Sequence, residues 1–363
     1  MAVDAQAVEK SGKSRLIVTN SPYTTAMNHS SQKPVAVVIL NWNGAKMLEH
    51  YLPSVVSGTS SGLADIIVAD NGSDDNSIVL LKQKFPQVGI ISLDRNYGFA
   101  QGYNLAIKQL GHKYVVLLNS DVATPCNWLE PLFGYMEENP GTGACQPKIL
   151  SDAEHDSFEY AGAAGGYIDA NGFPYCRGRL FDTVETDSGQ YDTVAKADWV
   201  SGACFFVRRQ VYIDAGGLDA SFFAHMEEID LCWRIRRMGY ELAAIPQSHV
   251  YHLGGGTLPM GNPRKTYLNF RNNLLLLNKN LSKKVRRRKL FIRRLYDTLA
   301  GAVFLIKGNM ADAQAVLRAH IDFRKWRKKT SPGPDAPELD LTRDKPNIII
   351  QYYLKKRRFF SEI

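Results

Sequence analysis

Three carboxylates are crowded into the stretch from Phe222 to Arg234, which reads FFAHMEEIDLCWR and is the densest group of chemically capable side chains in the chain. Glu227, Glu228 and Asp230 would share one helical turn, where carboxylates raise one another's pKa and so favour a general base. Acids at the start of a helix that ends in arginines also suit the helix dipole. A catalytic and a purely structural role are therefore both open.

Asp121 and His252 follow apolar runs and are candidate metal ligands. Asp121 closes Asn119-Ser120-Asp121 after the run 114–118, and His252 follows Val250-Tyr251. Mg²⁺ takes one or two protein carboxylates and completes its shell with phosphate and water, and a neutral imidazole nitrogen can bind a metal. The alternatives are that Asp121 begins a turn and caps a helix, and that His252 or His249 is a hydrogen-bonded structural histidine.

Polar residues also follow the first three apolar runs. Asn41 ends the run 35–40, Asp70 follows 66–69, and Asn96 and Gly98 come after 88–93. Asp70 can accept the imide N–H of a uracil or thymine, or it can form an Asx turn with the following Asn-Gly. Gly98 permits close approach of the backbone to a ligand, or only helix packing.

The elements that must position these residues are four β-α repeats. Continuous apolar runs at 35–40, 66–69, 88–93 and 114–118 predict buried strands, each followed by a helical pattern or by polar turn residues. Such repeats predict a parallel sheet with right-handed crossovers, and in open α/β sheets ligands bind at the carboxyl ends of the strands. Neither a G-x-G-x-x-G nor a Walker A loop is present, so a nucleotide diphosphate here requires a metal and basic side chains.

The chain divides into four predicted regions. Residues 1–32 form a disordered leader, 33–260 a catalytic domain, 261–330 a helical appendage, and 331–363 a Pro-rich linker with a basic tail. Within the catalytic domain, 151–196 is irregular and rich in glycine; it lines an acceptor groove or is a mobile insertion. The five cysteines form no C-x-x-C pair, which fits a reducing cytoplasm.

The positive charge is concentrated in the appendage. The net charge is +8, while 281–330 contains fifteen Lys and Arg against three Asp. The basic cluster 283–289 precedes an apolar helical segment, 290–304, that is too short to span a bilayer and contains Asp297. This pattern predicts an anchor on an anionic membrane surface, or a solvated charged face on an ordinary helix.

Taken in order, these segments resemble the family 2 glycosyltransferases of the GT-A fold, especially the bacterial rhamnosyltransferase-like members. The resemblance covers about 34–280. It rests on VILNWNG at 38–44, VADNGS at 68–73, NYGFA at 96–100, LNSD at 118–121, DWVSG at 198–202, EEIDL at 227–231 and YH at 251–252.

The resemblance implies a GT-A (Rossmann-like) sheet flanked by helices and an inverting transfer of a sugar, rhamnose among the candidates. The donor would be a nucleotide-diphosphate sugar, the acceptor a glycan or lipid-linked molecule in cell-surface polysaccharide synthesis, and the cofactor Mg²⁺ or Mn²⁺. The enzyme would be cytoplasmic and peripheral on the inner face of the membrane.

The resemblance also implies residue roles. Glu228 would be the general base, with Glu227 and Asp230 as alternatives, and Asp121 and His252 would hold the metal. Trp199 would help form the acceptor site. The nucleotide-sugar contacts would be Asn41, Asp70, Asn96, Gly98, Asn119 and Arg271, the last of these meeting the diphosphate. Two positions depart from the family pattern: Asn119 and Glu228 each stand where the family usually has Asp.

Two other functions are compatible with parts of the sequence. A sugar-nucleotide nucleotidyltransferase shares the α/β architecture but requires a glycine-rich, basic loop after the first strand, where this chain has Asn-Trp-Asn-Gly. A nucleic-acid-binding module would use the basic tail and its aromatic residues. That function leaves the polar rim of the sheet unexplained, so no nucleic-acid partner is expected.

Overall fold

A computed structural model describes residues 33–160, 162–254, 261–327 and 345–363. The predicted leader 1–32 and most of the predicted linker, 331–344, lie outside the described residues. All five cysteines are free, and four of them are buried. None of the described helices is both long enough and apolar enough to cross a bilayer.

A nine-stranded sheet forms the centre of the fold. Its order is β11-β13-β6-β12-β4-β1-β2-β3, with β5 paired to β13. The predicted parallel repeats are confirmed in β1 to β4, whereas β12 runs antiparallel to both β4 and β6 and makes the sheet mixed. The strands are β1 (Val35–Asn41), β2 (Ala64–Asp70), β3 (Gly89–Ser92), β4 (Tyr114–Leu118), β5 (Val122–Ala123), β6 (Thr142–Ser151), β11 (Ala195–Lys196), β12 (Cys204–Arg208) and β13 (Glu241–His252).

Helices cover the sheet because its strands are apolar on both faces. β1 and β4 are buried along almost their whole length, and two separate hydrophobic clusters lie on either side of them. The helices before the appendage are α1 (Ala45–Gly58), α2 (Ser77–Lys84), α3 (Gly98–Lys108), α4 (Glu130–Glu138), α5 (Arg209–Asp214) and α6 (Glu227–Arg237).

The segment that the sequence predicts to be irregular contains a second sheet. Its four antiparallel strands are β7 (Gly166–Ile168), β8 (Pro174–Cys176), β9 (Arg179–Leu180) and β10 (Thr183–Val184). The predicted turn at Asn171-Gly172 joins β7 to β8, and Gly172 adopts a φ of 87°. The strands are only two or three residues long, so they are too short to show an alternating apolar pattern in the sequence.

Three helices and a terminal segment complete the described chain. They are α7 (Pro263–Asn280), α8 (Lys283–Ile306) and α9 (Met310–Arg327), followed by short helical turns at Ile350–Leu354 and Phe360–Glu362. Helix α9 packs against both α7 and α8. The described part of the predicted basic tail, 345–363, packs against the small sheet through buried Ile348 and through Phe360, whose ring lies 5.2 Å from that of Tyr167.

Candidate active site

The ends of β1 and β2 bring Asn41 and Asp70 into contact. Asn41 Nδ2 donates to Asp70 Oδ1 at 3.0 Å, and the backbone N–H of Ser73 donates to Asp70 Oδ2 at 3.1 Å. Asp70 is therefore both a buried turn residue, as its alternative role predicts, and a carboxylate at the ligand-binding edge. Each carboxylate oxygen can accept one further hydrogen bond, which leaves Asp70 able to contact a nucleotide base. That contact stays a prediction.

Asn96 and Gly98 are joined to this edge by Asn71. The amide of Asn71 donates to Asn96 Oδ1 at 3.0 Å and to the Gly98 carbonyl at 3.2 Å. Gly98 has a φ of 76°, and a Cβ added there would meet no atom within 4 Å. The glycine is thus required by its backbone conformation and leaves open space beside the chain.

Strand pairing brings Asp121 and His252 together from distant parts of the sequence. His252 pairs with Val122 across β13 and β5, and the N–H of Leu253 donates to the Asp121 carbonyl at 3.1 Å. As a result, His252 Nε2 lies 3.2 Å from Asp121 Oδ1 and 3.3 Å from Asn119 Nδ2.

Glu159 is a functional candidate that the sequence analysis missed. Its Oε2 lies 3.5 Å from His252 Nδ1, on the side of the ring away from Asp121. Burial lowers the pKa of His252, but Asp121 and Glu159 together raise it to about 10. A carboxylate behind a histidine fixes its ring orientation, as in many metal sites. Glu159 lies in the segment without clear strand signals, so nothing in the sequence pointed to it.

Asp121 and His252 fit a divalent ion that relies on its substrate for further ligands. Within the described ranges, no group of three His, Cys, Asp or Glu is arranged to hold a metal. A carboxylate oxygen and an imidazole nitrogen 3.2 Å apart can nevertheless bind one ion. Mg²⁺ and Mn²⁺ both accept phosphate and water oxygens in the remaining positions. The donor set is therefore adequate only with a phosphate-bearing ligand.

The loop before α6 has an unusual backbone. Phe223, His225 and Met226 have φ angles of 67°, 67° and 74°, a region that costs free energy for residues other than glycine. The buried amide of Asn272 on α7 holds this loop: its Nδ2 lies 2.7 Å from the carbonyl oxygens of both Ala224 and His225. Helix α7 thus fixes the conformation from which the acidic helix starts.

Arg271 takes part in the same anchoring. Its guanidinium donates to the Phe222 carbonyl at 2.7 Å and to Asn272 Oδ1, also at 2.7 Å. These hydrogen bonds direct the guanidinium to the loop, so they compete with the predicted contact between Arg271 and a diphosphate.

Asp230 is not available as a general base. It is fully buried and accepts hydrogen bonds from Arg234 at 2.9 Å, Lys279 at 2.7 Å and Asn280 at 2.8 Å. Deprotonating an acceptor would require a carboxylate whose oxygen faces substrate, whereas this one pairs with the half-buried cations Arg234 and Lys279. The alternative assignment to Asp230 is therefore a poor fit to the structure.

Glu228 is the carboxylate best placed for the role. Burial raises its pKa to about 7, although backbone N–H groups at the start of α6 act in the opposite direction. Burial, followed by repulsion from Glu228, also raises the pKa of Glu227, whose Oε2 has no hydrogen-bond partner in the described part of the chain. Burial is thus the main cause, and the predicted mutual crowding of three acids contributes only between these two.

Glu228 is connected to the candidate metal ligands through the adjoining ends of β4 and β12. A Cβ on Gly202 would be 3.7 Å from Glu228 Cβ, and the next residue, Ala203, accepts a hydrogen bond at 3.0 Å from the N–H of Asn119. Since Asn119 contacts His252, the candidate base and the candidate metal ligands border one region at the edge of β4 and β12.

Trp199 is buried beneath this region. Its indole N–H donates to the Tyr167 carbonyl at 3.0 Å, and a Cβ on Gly166 would come within 2.1 Å of the ring. Trp199 therefore connects the small sheet to the main one, and its predicted contact with an acceptor stays untested.

Lys265 is a second candidate that the sequence analysis missed. It is half-buried in the first turn of α7, 5.4 Å from the ring of Tyr160. Burial lowers its pKa, attraction to Glu159 opposes this, and Lys265 in turn lowers the pKa of His225. The ammonium group thus interacts electrostatically with Glu159 and with the loop that precedes Glu228, and it forms no ion pair within the described residues.

Strand ends of the mixed sheet thus carry the candidate metal ligands, and the start of α6 carries the candidate base. Residues 36–212 match the model of Glycosyl transferase family 2. Residues 36–212 therefore form a family 2 glycosyltransferase domain, and the chain has the GT-A fold and is similar to bacterial rhamnosyltransferases.

The chain is similar in sequence to two curated rhamnosyltransferases. The N-acetylglucosaminyl-diphospho-decaprenol L-rhamnosyltransferase of Mycobacterium tuberculosis is 26% identical over 234 residues, which cover 60% of this chain and 75% of the relative. The rhamnosyltransferase WbbL of Escherichia coli is 26% identical over 197 residues, covering 52% of this chain and 72% of the relative.

Solved structures share the fold. The mannosyltransferase PcManGT from Pyrobaculum calidifontis, in complex with GDP-Man and Mn²⁺, superposes with a TM-score of 0.51 at 14% identity and covers 85% of this chain and 87% of its own. GalNAc-T7 with UDP, GalNAc and Mn²⁺ also gives 0.51, at 16% identity, covering 69% of this chain; the match spans about half of GalNAc-T7, 48% of its chain.

Proposed function

We propose that this glycosyltransferase transfers a sugar, with rhamnose the first candidate, from a nucleotide-diphosphate donor to a lipid-linked or glycan acceptor, with inversion. The supporting observation is that Glu228, with its pKa of about 7, packs beside Gly202, whose neighbour Ala203 binds Asn119 next to the Asp121–His252 pair. Two rhamnosyltransferases among the relatives support the sugar, and the decaprenol-linked acceptor in the name of one supports the acceptor class.

The chain's own residues account for the proton transfer and the orientation of the donor. Glu228 accepts the proton of an acceptor hydroxyl while that oxygen forms a bond to the anomeric carbon. The bond from this carbon to the diphosphate oxygen breaks on the opposite face, and its electrons leave with the nucleotide diphosphate. Asp121 and His252 would hold a divalent metal, which stabilises negative charge on the departing diphosphate.

Donor identity can be tested by ligand-induced stabilisation. The protein is mixed with UDP-, dTDP- and GDP-sugars, each with Mg²⁺, Mn²⁺ or EDTA, and its melting temperature is recorded. A donor at a hundred times its dissociation constant stabilises the folded state by about 2.7 kcal/mol. We expect a UDP- or dTDP-sugar with metal to raise the melting temperature, because Asp70 can accept the imide N–H of uracil or thymine, and EDTA to abolish the shift. No shift with any nucleotide sugar, and no product with a lipid-linked acceptor, contradicts the proposal.

Lys265, rather than Arg271, is expected to contribute to diphosphate affinity. Removing a hydrogen bond between charged groups costs about 1.5–3 kcal/mol, so Lys265→Ala should weaken nucleoside-diphosphate binding about tenfold or more. Its effect on nucleoside-monophosphate binding should be smaller. Arg271→Ala should mainly lower the melting temperature, because its guanidinium holds the Phe222 carbonyl.

Calorimetry with both nucleotides measures these affinities, and Lys82→Ala, which removes an exposed lysine of α2, is the matched control. Equal diphosphate affinity in Lys265→Ala and Lys82→Ala contradicts this role of Lys265.

A further inference from the structure

Helix α8 exposes a continuous apolar stripe. Phe291, Leu295 and Leu299 are 60%, 59% and 61% exposed, and Val303 and Ile306 continue the stripe at 40% and 86%. The intervals of four, four, four and three residues keep these side chains on one helical face, over about 22 Å at 1.5 Å per residue. A contiguous patch of large apolar side chains on a solvent-exposed surface marks an interaction site.

Helix α9 packs against α8 and also exposes apolar side chains. Its Val316, Ala319 and Phe323 are buried, while Leu317 and Ile321 point outward with large exposed fractions. We call the exposed side chains of these two helices the α8–α9 surface; its apolar members are Phe291, Leu295, Leu299, Val303, Ile306, Leu317 and Ile321.

Exposed basic residues flank the apolar part at one end. The first turns of α8 expose Lys283, Lys284, Arg287 and Arg288, and the last turn of α9 exposes Arg324, Lys325 and Arg327. A hydrogen bond of 2.9 Å between His320 and Asp297 joins the two helices, which run in opposite directions, so these two basic groups lie at the same end.

No compensating acidic residue is fully exposed on the two helices. Asp297 and Asp312 are buried, the former between Arg293 and His320, and Asp322 is half-buried, accepts a hydrogen bond from Tyr267 and pairs with Lys325 at 3.5 Å. The α8–α9 surface therefore combines apolar side chains with basic ones, which are concentrated at one end and also include Arg294 and Arg318 along its length.

We propose that the α8–α9 surface lies on an anionic lipid bilayer, with its apolar side chains at the boundary of headgroups and acyl chains. The charge pattern favours lipid over a second copy of the chain. A two-fold dimer brings the same patch of each subunit together, and this patch offers its basic groups no fully exposed acidic partner. An anionic leaflet instead attracts each Lys or Arg near it by about 1 kcal/mol.

The apolar stripe, rather than the basic cluster alone, supplies much of the attachment. Of the cluster predicted from the sequence, Lys289 is buried and donates to the Ala170 carbonyl, and Arg286 is half-buried and donates to the Asn278 carbonyl. Four of its basic side chains remain exposed. An amphipathic helix of this kind inserts its apolar face about 5–10 Å into the interface without crossing it. The inference rests on the proposed function in one respect: an enzyme attached to a bilayer would be near a lipid-linked acceptor.

The test is sedimentation of the full chain with vesicles of phosphatidylcholine alone or with phosphatidylglycerol. The variant Leu295→Glu/Leu299→Glu changes two exposed positions of the stripe. Val79→Glu/Val194→Glu adds the same charge at exposed valines of the catalytic domain and is the matched control. We expect the wild type and the control to sediment with anionic vesicles, and the stripe variant to bind them at least about tenfold more weakly.

Transfer to a water-soluble acceptor separates this inference from the proposed function. The stripe variant should keep that activity and lose activity only with vesicle-embedded acceptor. Equal sedimentation of the stripe and control variants overturns the proposal. The proposal is also overturned if the wild type does not bind anionic vesicles and light scattering shows that it forms a dimer which the stripe variant does not form. Vesicle binding without any sugar transfer would contradict the proposed function and leave the docking surface intact.

Discussion

Glu228→Gln is expected to lower the rate of glycosyl transfer about 10²–10⁴-fold, because glutamine keeps the shape of the side chain but cannot accept the proton of the acceptor. Donor affinity should change little, since the substitution does not touch Asp121 or His252. Single-turnover rates and calorimetric donor affinities measure the two effects separately. Normal turnover in this variant contradicts the assignment.

The pH dependence provides an independent check on Glu228. Its pKa is raised to about 7, so the wild-type rate should fall as the pH drops below about 7 and the carboxylate becomes protonated. Because burial raises this pKa above that of the unfolded chain, the ionised form also costs stability, and the wild type should lose stability as the pH rises through about 7. Glu228→Gln should lose less stability over that range. If the melting temperature of the variant at pH 8 equals or exceeds that of the wild type, misfolding is excluded as the cause of its inactivity.

Asp121→Ala is expected to abolish metal-dependent binding of nucleotide diphosphate. The substitution leaves His252 as one remaining ligand, and hard divalent ions depend on carboxylate oxygens. Titration of the nucleotide with Mn²⁺ and with EDTA measures the effect. Affinity that is undiminished and insensitive to EDTA in the variant contradicts the metal role.

Asp152→Ala is the matched control for this variant. Asp152 is a nearby acid, since its N–H donates to the His252 carbonyl, but its carboxylate accepts a hydrogen bond from Tyr51 instead of facing the histidine ring. Metal-dependent binding should persist in the control. A loss equal to that of Asp121→Ala would indicate a general effect of negative charge in this region rather than coordination.

The parallel half of the sheet could be predicted because its strands are long, apolar and punctuated by polar residues. The same logic located Asp121, since a strand-end carboxylate lies at the ligand-binding edge. It could not assign Asp230, because a carboxylate's role depends on whether cations such as Lys279 reach it, and that contact is between residues distant in sequence. Glu159 was missed for the same reason: its partner is 93 positions away, at His252.

The anchoring of the loop before α6 by α7 has a consequence for fragment design. The family model ends at residue 212, and the sequence suggested a boundary near 260, yet Asn272 holds the backbone at Ala224 and His225. A fragment ending near 260 would remove the hydrogen bonds that hold the carbonyls of Phe222, Ala224 and His225 in this strained loop. It would also remove Lys279 and Asn280, the hydrogen-bond partners of Asp230. The shortest catalytic fragment that can preserve this geometry therefore extends to Asn280, and chimaeras between related transferases should exchange α6 and α7 as one unit.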